Sequence, residues 1–128
     1  MDKPVSSLMT TPARTVRADD TVAAVEEQFR LHGLSFAPVV DSPGGTVLGI
    51  ISASDLLQFQ AAKRNPASVH AWEICAYKPV EVGPDASIGD VASLMVARRI
   101  HHVVVMENQT LKGVVSALDF VRQFIQQD

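Results

Sequence analysis

A seven-residue pattern occurs twice in this chain and constrains it more than any other feature. It reads Gly49-Ile50-Ile51-Ser52-Ala53-Ser54-Asp55 and again Gly113-Val114-Val115-Ser116-Ala117-Leu118-Asp119. Each copy has a glycine, two β-branched apolar residues, Ser-Ala, one variable residue and an aspartate. β-Branched pairs suit a buried strand. A serine followed three residues later by an acid suits a helix start. Each copy follows a turn-rich segment and precedes an apolar, helix-compatible tail: Leu56, Leu57 and Phe59 in one, Phe120, Val121 and Phe124 in the other. Each therefore reads as a strand-to-helix junction.

The flanking sequence repeats as well. After a loosely held arm at Met1–Ser7, Thr15-Val16-Arg17 predicts a short strand. Ala18-Asp19-Asp20-Thr21 supplies helix-start residues, the acids suiting the positive helix pole. Val22, Val25 and Phe29 have helical spacing, and Gly33 fits a C-terminal stop. Phe36–Val40 predicts a strand whose proline points to an edge or terminal position. Asp41–Gly45 is a turn, Val47–Ile51 a buried strand, and a helix follows from about Ala53 to Lys63. The order is β-α-β-β-α. Asn65–Ser68 interrupts it, and the same order then returns: strand Val80–Val82, helix start at Pro84–Ser87, a helical face of Ile88, Val91, Leu94 and Met95, strands His101–Met106 and Lys112–Val115, and a last helix from near Ala117.

Register makes this an internal repeat. Val16 corresponds to Val82, Val22 to Ile88, Val25 to Val91, Phe29 to Met95, Leu34 to Ile100 and Val39 to Val105. Pro43-Gly44-Gly45 lengthens the first copy by two residues, after which Gly49, Ser52 and Asp55 correspond to Gly113, Ser116 and Asp119. Each half is too small to bury much surface alone. The expected organisation is a first repeat at 1–64 with its arm, a linker at 65–73 and a second repeat at 74–128, an α/β (α+β) fold packed as a pseudo-two-fold pair.

Composition narrows the function classes. The 128 residues are 47% hydrophobic, with net charge −3 and one cysteine. That hydrophobic fraction marks a globular chain. No run approaches the roughly 18 apolar residues that span a bilayer, and the beginning lacks secretory-signal character. Cys75 has no partner for an intrachain disulfide and does not support a cysteine metal site. The expected location is cytoplasmic, with no membrane association. A net negative charge disfavours general nucleic-acid binding.

The chain resembles a tandem pair of cystathionine-β-synthase (CBS) domains, a Bateman module, over nearly its whole length. Leu8-Met9-Thr10-Thr11-Pro12 and Ile74–Val80 resemble the family's lead-in segment, Phe36–Asp41 its Pro-Val strand, and the two Gly-x-x-Ser-x-x-Asp stretches its strand-to-helix signature. Cys75 and Ala76 depart from the usual Met-Thr, Pro12 sits one place early relative to Pro79, and Val104 stands where the first repeat has Pro38. The resemblance implies a regulatory module, not an enzyme, that binds adenosine-containing ligands (AMP, ADP, ATP or S-adenosylmethionine) between the repeats. It requires no other cofactor, and it implies a homodimer that acts on a separate regulated protein.

Candidate binding residues carry two readings. Ser52/Asp55 and Ser116/Asp119 can be capping boxes that satisfy orphan backbone N–H groups. The same aspartates can accept hydrogen bonds from ribose hydroxyls, as the acid of dinucleotide folds does, with the helix N-terminus favouring phosphate. His101 and His102 point to opposite faces of a strand and cannot jointly hold a metal. One of them, with Arg98 and Arg99 just before, can receive phosphate, or the cations can simply complement a helix end. The corresponding first-repeat positions carry little charge, so two sites of unequal affinity are expected. The resemblance adds Phe36, Ala37 and Pro38, and the first-strand segments Arg14-Thr15 and Val80-Glu81, as pocket positions. The competing function is a dimerisation scaffold with empty clefts. No Ser-His-acid set, metal cluster or phosphate-loop lysine supports catalysis.

Overall fold

Local chemistry sets the element ends. In the computed structural model, which describes residues Asp2 to Gln126, strand β1 (Val16–Arg17) leads to helix α1 (Val22–His32). The Thr21 hydroxyl accepts from the Ala24 amide at 3.1 Å and caps the helix. Gly33, at φ 60°, turns the chain left-handed at its end. Strands β2 (Phe36–Val40) and β3 (Val47–Ser52) form a hairpin, and α2 (Ala53–Ala61) starts directly from β3. A short helix α3 (Ala71–Ile74) and strand β4 (Ala76–Tyr77) follow. The second repeat supplies β5 (Glu81–Val82), α4 (Ile88–Arg98), β6 (His102–Glu107), β7 (Thr110–Ser116) and α5 (Ala117–Gln126). The predicted β-α-β-β-α order is present in both halves. α3 lacks an apolar period of its own and is not predicted by the sequence pattern.

The chain forms two compact units. One is Arg14–Pro79. The other joins the segment ending at Ala13 to the chain from Val80 onward. In space, the N-terminal arm therefore belongs with the second repeat, and residues 74–79 belong with the first.

The Arg14–Pro79 unit has the sheet order β1-β2-β3-β4, with β1 parallel to β2 and the other pairs antiparallel. Its core gathers Val16, Val22, Val25, Phe29, Ala37, Val39, Ile51, Leu56 and Phe59, with Val69 and Ala71 from the linker and Cys75 just beyond it. Pro38 corrects an expectation, because it lies in an interior strand and not at an edge. β1 pairs only with Val39 and Val40, so no ladder bond is demanded of position 38. At the equivalent position of the other unit, the Val104 amide donates to the Val80 carbonyl at 3.1 Å. Pro38 has no N–H for the matching bond to Arg14.

The other unit has the order β5-β6-β7. Asn108 and Gln109, at φ 51° and 65°, form the two-residue turn between β6 and β7, the left-handed geometry that matches strand twist. The arm closes this unit. Val5 is fully buried with Val91, Met95, Val103, Val105 and Val115, and the Val5 amide donates to Ala86 O at 2.7 Å. Thr10 covers the free edge of β7, exchanging backbone bonds with Val114 at 2.8 and 3.2 Å. β4 covers β3 in the same manner, Ala76 opposite Ile50.

These crossings explain the repeated glycine. A Cβ on Gly49 would stand 2.2 Å from the Ala76 carbonyl oxygen, and one on Gly113 2.8 Å from that of Thr10. The glycine belongs to the covered sheet edge, where a neighbouring backbone passes too close for a side chain.

Candidate functional site

Within each unit, topology brings the predicted residues to one end of the sheet. β1 runs parallel to β2, so the Arg14-Thr15 segment before it lies at the end where β2 begins. There Phe36 opposes Ser52, the last residue of β3, and α2 begins. In the other unit Val80 and Glu81, His102 opposite Ser116, and the start of α5 occupy the same end. Ala37 and Pro38 lie one and two residues further along β2, both buried.

The first junction is a completed capping box. Asp55 Oδ2 accepts from the Ser52 amide at 2.8 Å and from its hydroxyl at 3.0 Å. The Asp55 amide in turn points to Ser52 Oγ at 3.4 Å, and Ser54 Oγ lies 2.9 Å from the same hydroxyl. Asp55 keeps Oδ1 outside this network. The Arg14 guanidinium lies 3.4 Å from His32 Nε2 at the end of α1, which places a cation beside the same sheet end.

The second junction repeats the carboxylate half of the cap with different surroundings. Asp119 Oδ2 accepts from the Ser116 amide at 2.7 Å and its hydroxyl at 3.2 Å. Its Oδ1 accepts from Arg122 at 3.3 Å. Asp119 is buried, whereas Asp55 is half-buried. His102 is half-buried in β6; burial and the neighbouring His101 hold its imidazole below the usual histidine pKa, and Asp119 opposes them in part. The reciprocal capping box is complete at the first junction; at the second, the carboxylate half is present, Asp119 accepting from the Ser116 amide and hydroxyl through one oxygen.

The structure separates the cluster of second-repeat cations. His102 lies with Ser116 and Asp119. Arg99 and His101 instead line a concavity of about 460 Å³ between α4 and α5, with Ala92, Met95, Val96, Ile100, Ala117 and Phe120. Arg99 takes the left-handed position, φ 55°, that Gly33 takes in the first repeat. Sequence reading missed Arg122. The signal was present, since it stands one helical turn beyond Asp119, where opposite charges pair. Among the described residues no group of histidines, cysteines and acids could hold a metal, and no helix is long and apolar enough to cross a membrane.

Two β-α-β-β-α repeats, each closing on a serine-aspartate junction, define a tandem α/β module. A family model for the CBS domain matches twice, at residues 5–62 and 71–125, and the chain belongs to the CBS domain family as a tandem pair. Among curated relatives, the protein YlbB of Bacillus subtilis strain 168 is 30% identical over 115 residues, covering 90% of this chain and 78% of the relative. Among solved structures, the CBS domain pair of protein MJ0100, in complex with 5′-methylthioadenosine and S-adenosyl-L-methionine, superposes with a TM-score of 0.87 at 21% identity over the full length of both chains. The CBS domain of a bacterial CNNM/CorC-family Mg2+ transporter, in complex with ATP, superposes with a TM-score of 0.84 at 20% identity, over 96% of this chain and 87% of that one. These two likenesses establish the fold.

Proposed function

We propose that the chain is a regulatory module that binds an adenosine-containing ligand at one or both strand-to-helix junctions. It self-associates as a homodimer and conveys occupancy to a separate protein. The observation that carries the reading is the pair of equivalent aspartates, each oriented by the amide and hydroxyl of its serine at the same end of a sheet. A carboxylate held in this way is preorganised to accept ribose hydroxyls. Asp55 Oδ1 faces no partner among the described hydrogen bonds, so Asp55 is the better ribose acceptor of the two. Because Pro38 cannot bond to the Arg14 carbonyl, that oxygen is available to an adenine amino group. The second junction has His102 and Arg122 beside Asp119 and suits a ligand with phosphate or carboxylate charge. Structural neighbours with adenosine ligands support the class of ligand.

The competing reading is a scaffold in which the serine-aspartate pairs serve only as helix caps. Thermal unfolding with AMP, ADP, ATP and S-adenosylmethionine separates the two. A ligand at about 100 times its dissociation constant adds about 2.7 kcal/mol, an obvious rise in Tm. Asp55→Ala is expected to abolish the rise for a neutral or weakly charged adenosine ligand. Asp119→Ala is expected to reduce the response to a charged one. No shift with any of the four ligands establishes the scaffold, and equal affinity in both variants removes the ribose assignment.

A further inference from the structure

The two repeats share a helical scaffold but fill the space between their helices differently. In the first, Gln60 on α2 donates to Glu26 on α1 at 3.1 Å, a polar bridge across the pair. Repeat equivalence puts Phe124 and Ala92 at those positions, and these two side chains cannot form it. Arg30 is likewise replaced by Val96, and Ser35 by His101. What opens between α4 and α5 is the concavity of about 460 Å³, within the range of about 300–1,000 Å³ that small-molecule sites occupy. Met95 is buried at its base, with Ile100 and Phe120 half-buried beside it. Arg99 and His101, both exposed, supply the polar part of its lining.

We propose that this hollow binds a small carboxylic acid with an apolar body, such as a medium-chain fatty acid. The chain would lie on Met95, Ile100 and Phe120, and the carboxylate would meet Arg99. Three observations carry the assignment. First, an apolar hollow with a few converging polar groups is the usual form of a small-molecule site. Second, among the described residues the Arg99 guanidinium has neither a carboxylate nor a hydrogen-bond partner, and its planar fork matches a carboxylate in bidentate geometry. Third, Arg99 holds a left-handed turn, φ 55°, that the first repeat gives to Gly33. Glycine adopts that conformation without the cost a side chain brings, so the arginine adds a cation at the hollow at some expense to the turn. His101 is held beside it, because its carbonyl accepts from the Ala117 amide at 2.9 Å and ties it to the start of α5. The site is separate from the second junction, since His102, Ser116 and Asp119 take no part in its lining. A purine, with its ring of polar nitrogens, is a poor match for these walls.

Calorimetric titration of the full chain with octanoate tests this, with 1-octanol and octylamine as head-group controls. Wild type is expected to bind octanoate and to bind octanol at least about tenfold more weakly, because octanol lacks the charge-assisted bonds to Arg99. Octylamine is expected to bind most weakly of the three. Arg99→Gly is expected to weaken octanoate at least about tenfold while Tm stays the same or rises, since glycine suits the left-handed turn. A merely structural arginine would not separate affinity from stability in that way. Ala92→Phe is expected to fill the hollow and abolish octanoate binding with unchanged circular dichroism. Asp55→Ala is expected to keep octanoate binding while losing its adenosine response, so this site and the adenosine reading fail separately. Absence of octanoate binding in wild type overturns the proposal. Equal affinity for octanoate and either control also overturns it, as does wild-type octanoate affinity in Arg99→Gly or Ala92→Phe.

Discussion

Phe36 and His102 occupy the same place in their repeats, each opposite the serine of its junction, yet only the second can titrate. Burial depresses the His102 pKa, so between its folded and unfolded values the unfolded chain binds more protons. Stability must then rise with pH in that interval. The contribution is complete above the unfolded value of about 6.5 and is lost as pH falls below it. His102→Phe, which copies the first repeat, is expected to flatten the dependence of the urea midpoint on pH between about pH 5 and 7. An unchanged slope would show that another group titrates there. At this scale the paired aspartates and serines were legible, because capping chemistry is local and its spacing is fixed by the helix. The left-handed Arg99 was not. Arginine has no intrinsic preference for that conformation, and it became visible only through its equivalence to Gly33.

Elements were mostly legible, because their signals lie within a few residues. Apolar spacing located α1 and α4, and turn chemistry located the hairpins. The proline of β2 misled because strand position was inferred from one residue. A two-residue neighbour leaves position 38 without a ladder bond even inside the sheet. The glycines were legible as a motif but not as a constraint, since what they avoid arrives from a distant segment. Gly49→Ala is expected to destabilise by about 1–3 kcal/mol, measured by chemical denaturation. The added methyl would meet the Ala76 carbonyl, which is backbone. Gly113→Ala is expected to cost less, because the Thr10 carbonyl stands farther from the added methyl, 2.8 Å against 2.2 Å for Ala76, and the Met9 thioether can move aside. Equal, negligible costs would mean that both sheet edges adjust freely.

At the scale of the molecule, sequence order and spatial order differ. The arm through Ala13 completes the second repeat, and residues 74–79 complete the first. A chain beginning at Arg14 is expected to lose at least about 2 kcal/mol from Val5 alone and to leave the β7 edge unpaired. Amide hydrogen exchange should then show β6 and β7 losing protection while β2 and β3 keep theirs. Uniform protection in both sheets would show that the arm contributes little. By itself, the sequence determined the duplication, the β-α-β-β-α order and the doubled Ser-x-x-Asp junction, because periodicity, capping and turn formation are short-range. Only the tertiary structure decided which lead-in segment covers which sheet edge, and that Arg99 and His101 line the α4-α5 groove while His102 lies by Asp119. Those outcomes depend on backbones and side chains distant in the chain meeting in space, and no local pattern records which of the two equivalent partners a segment will join.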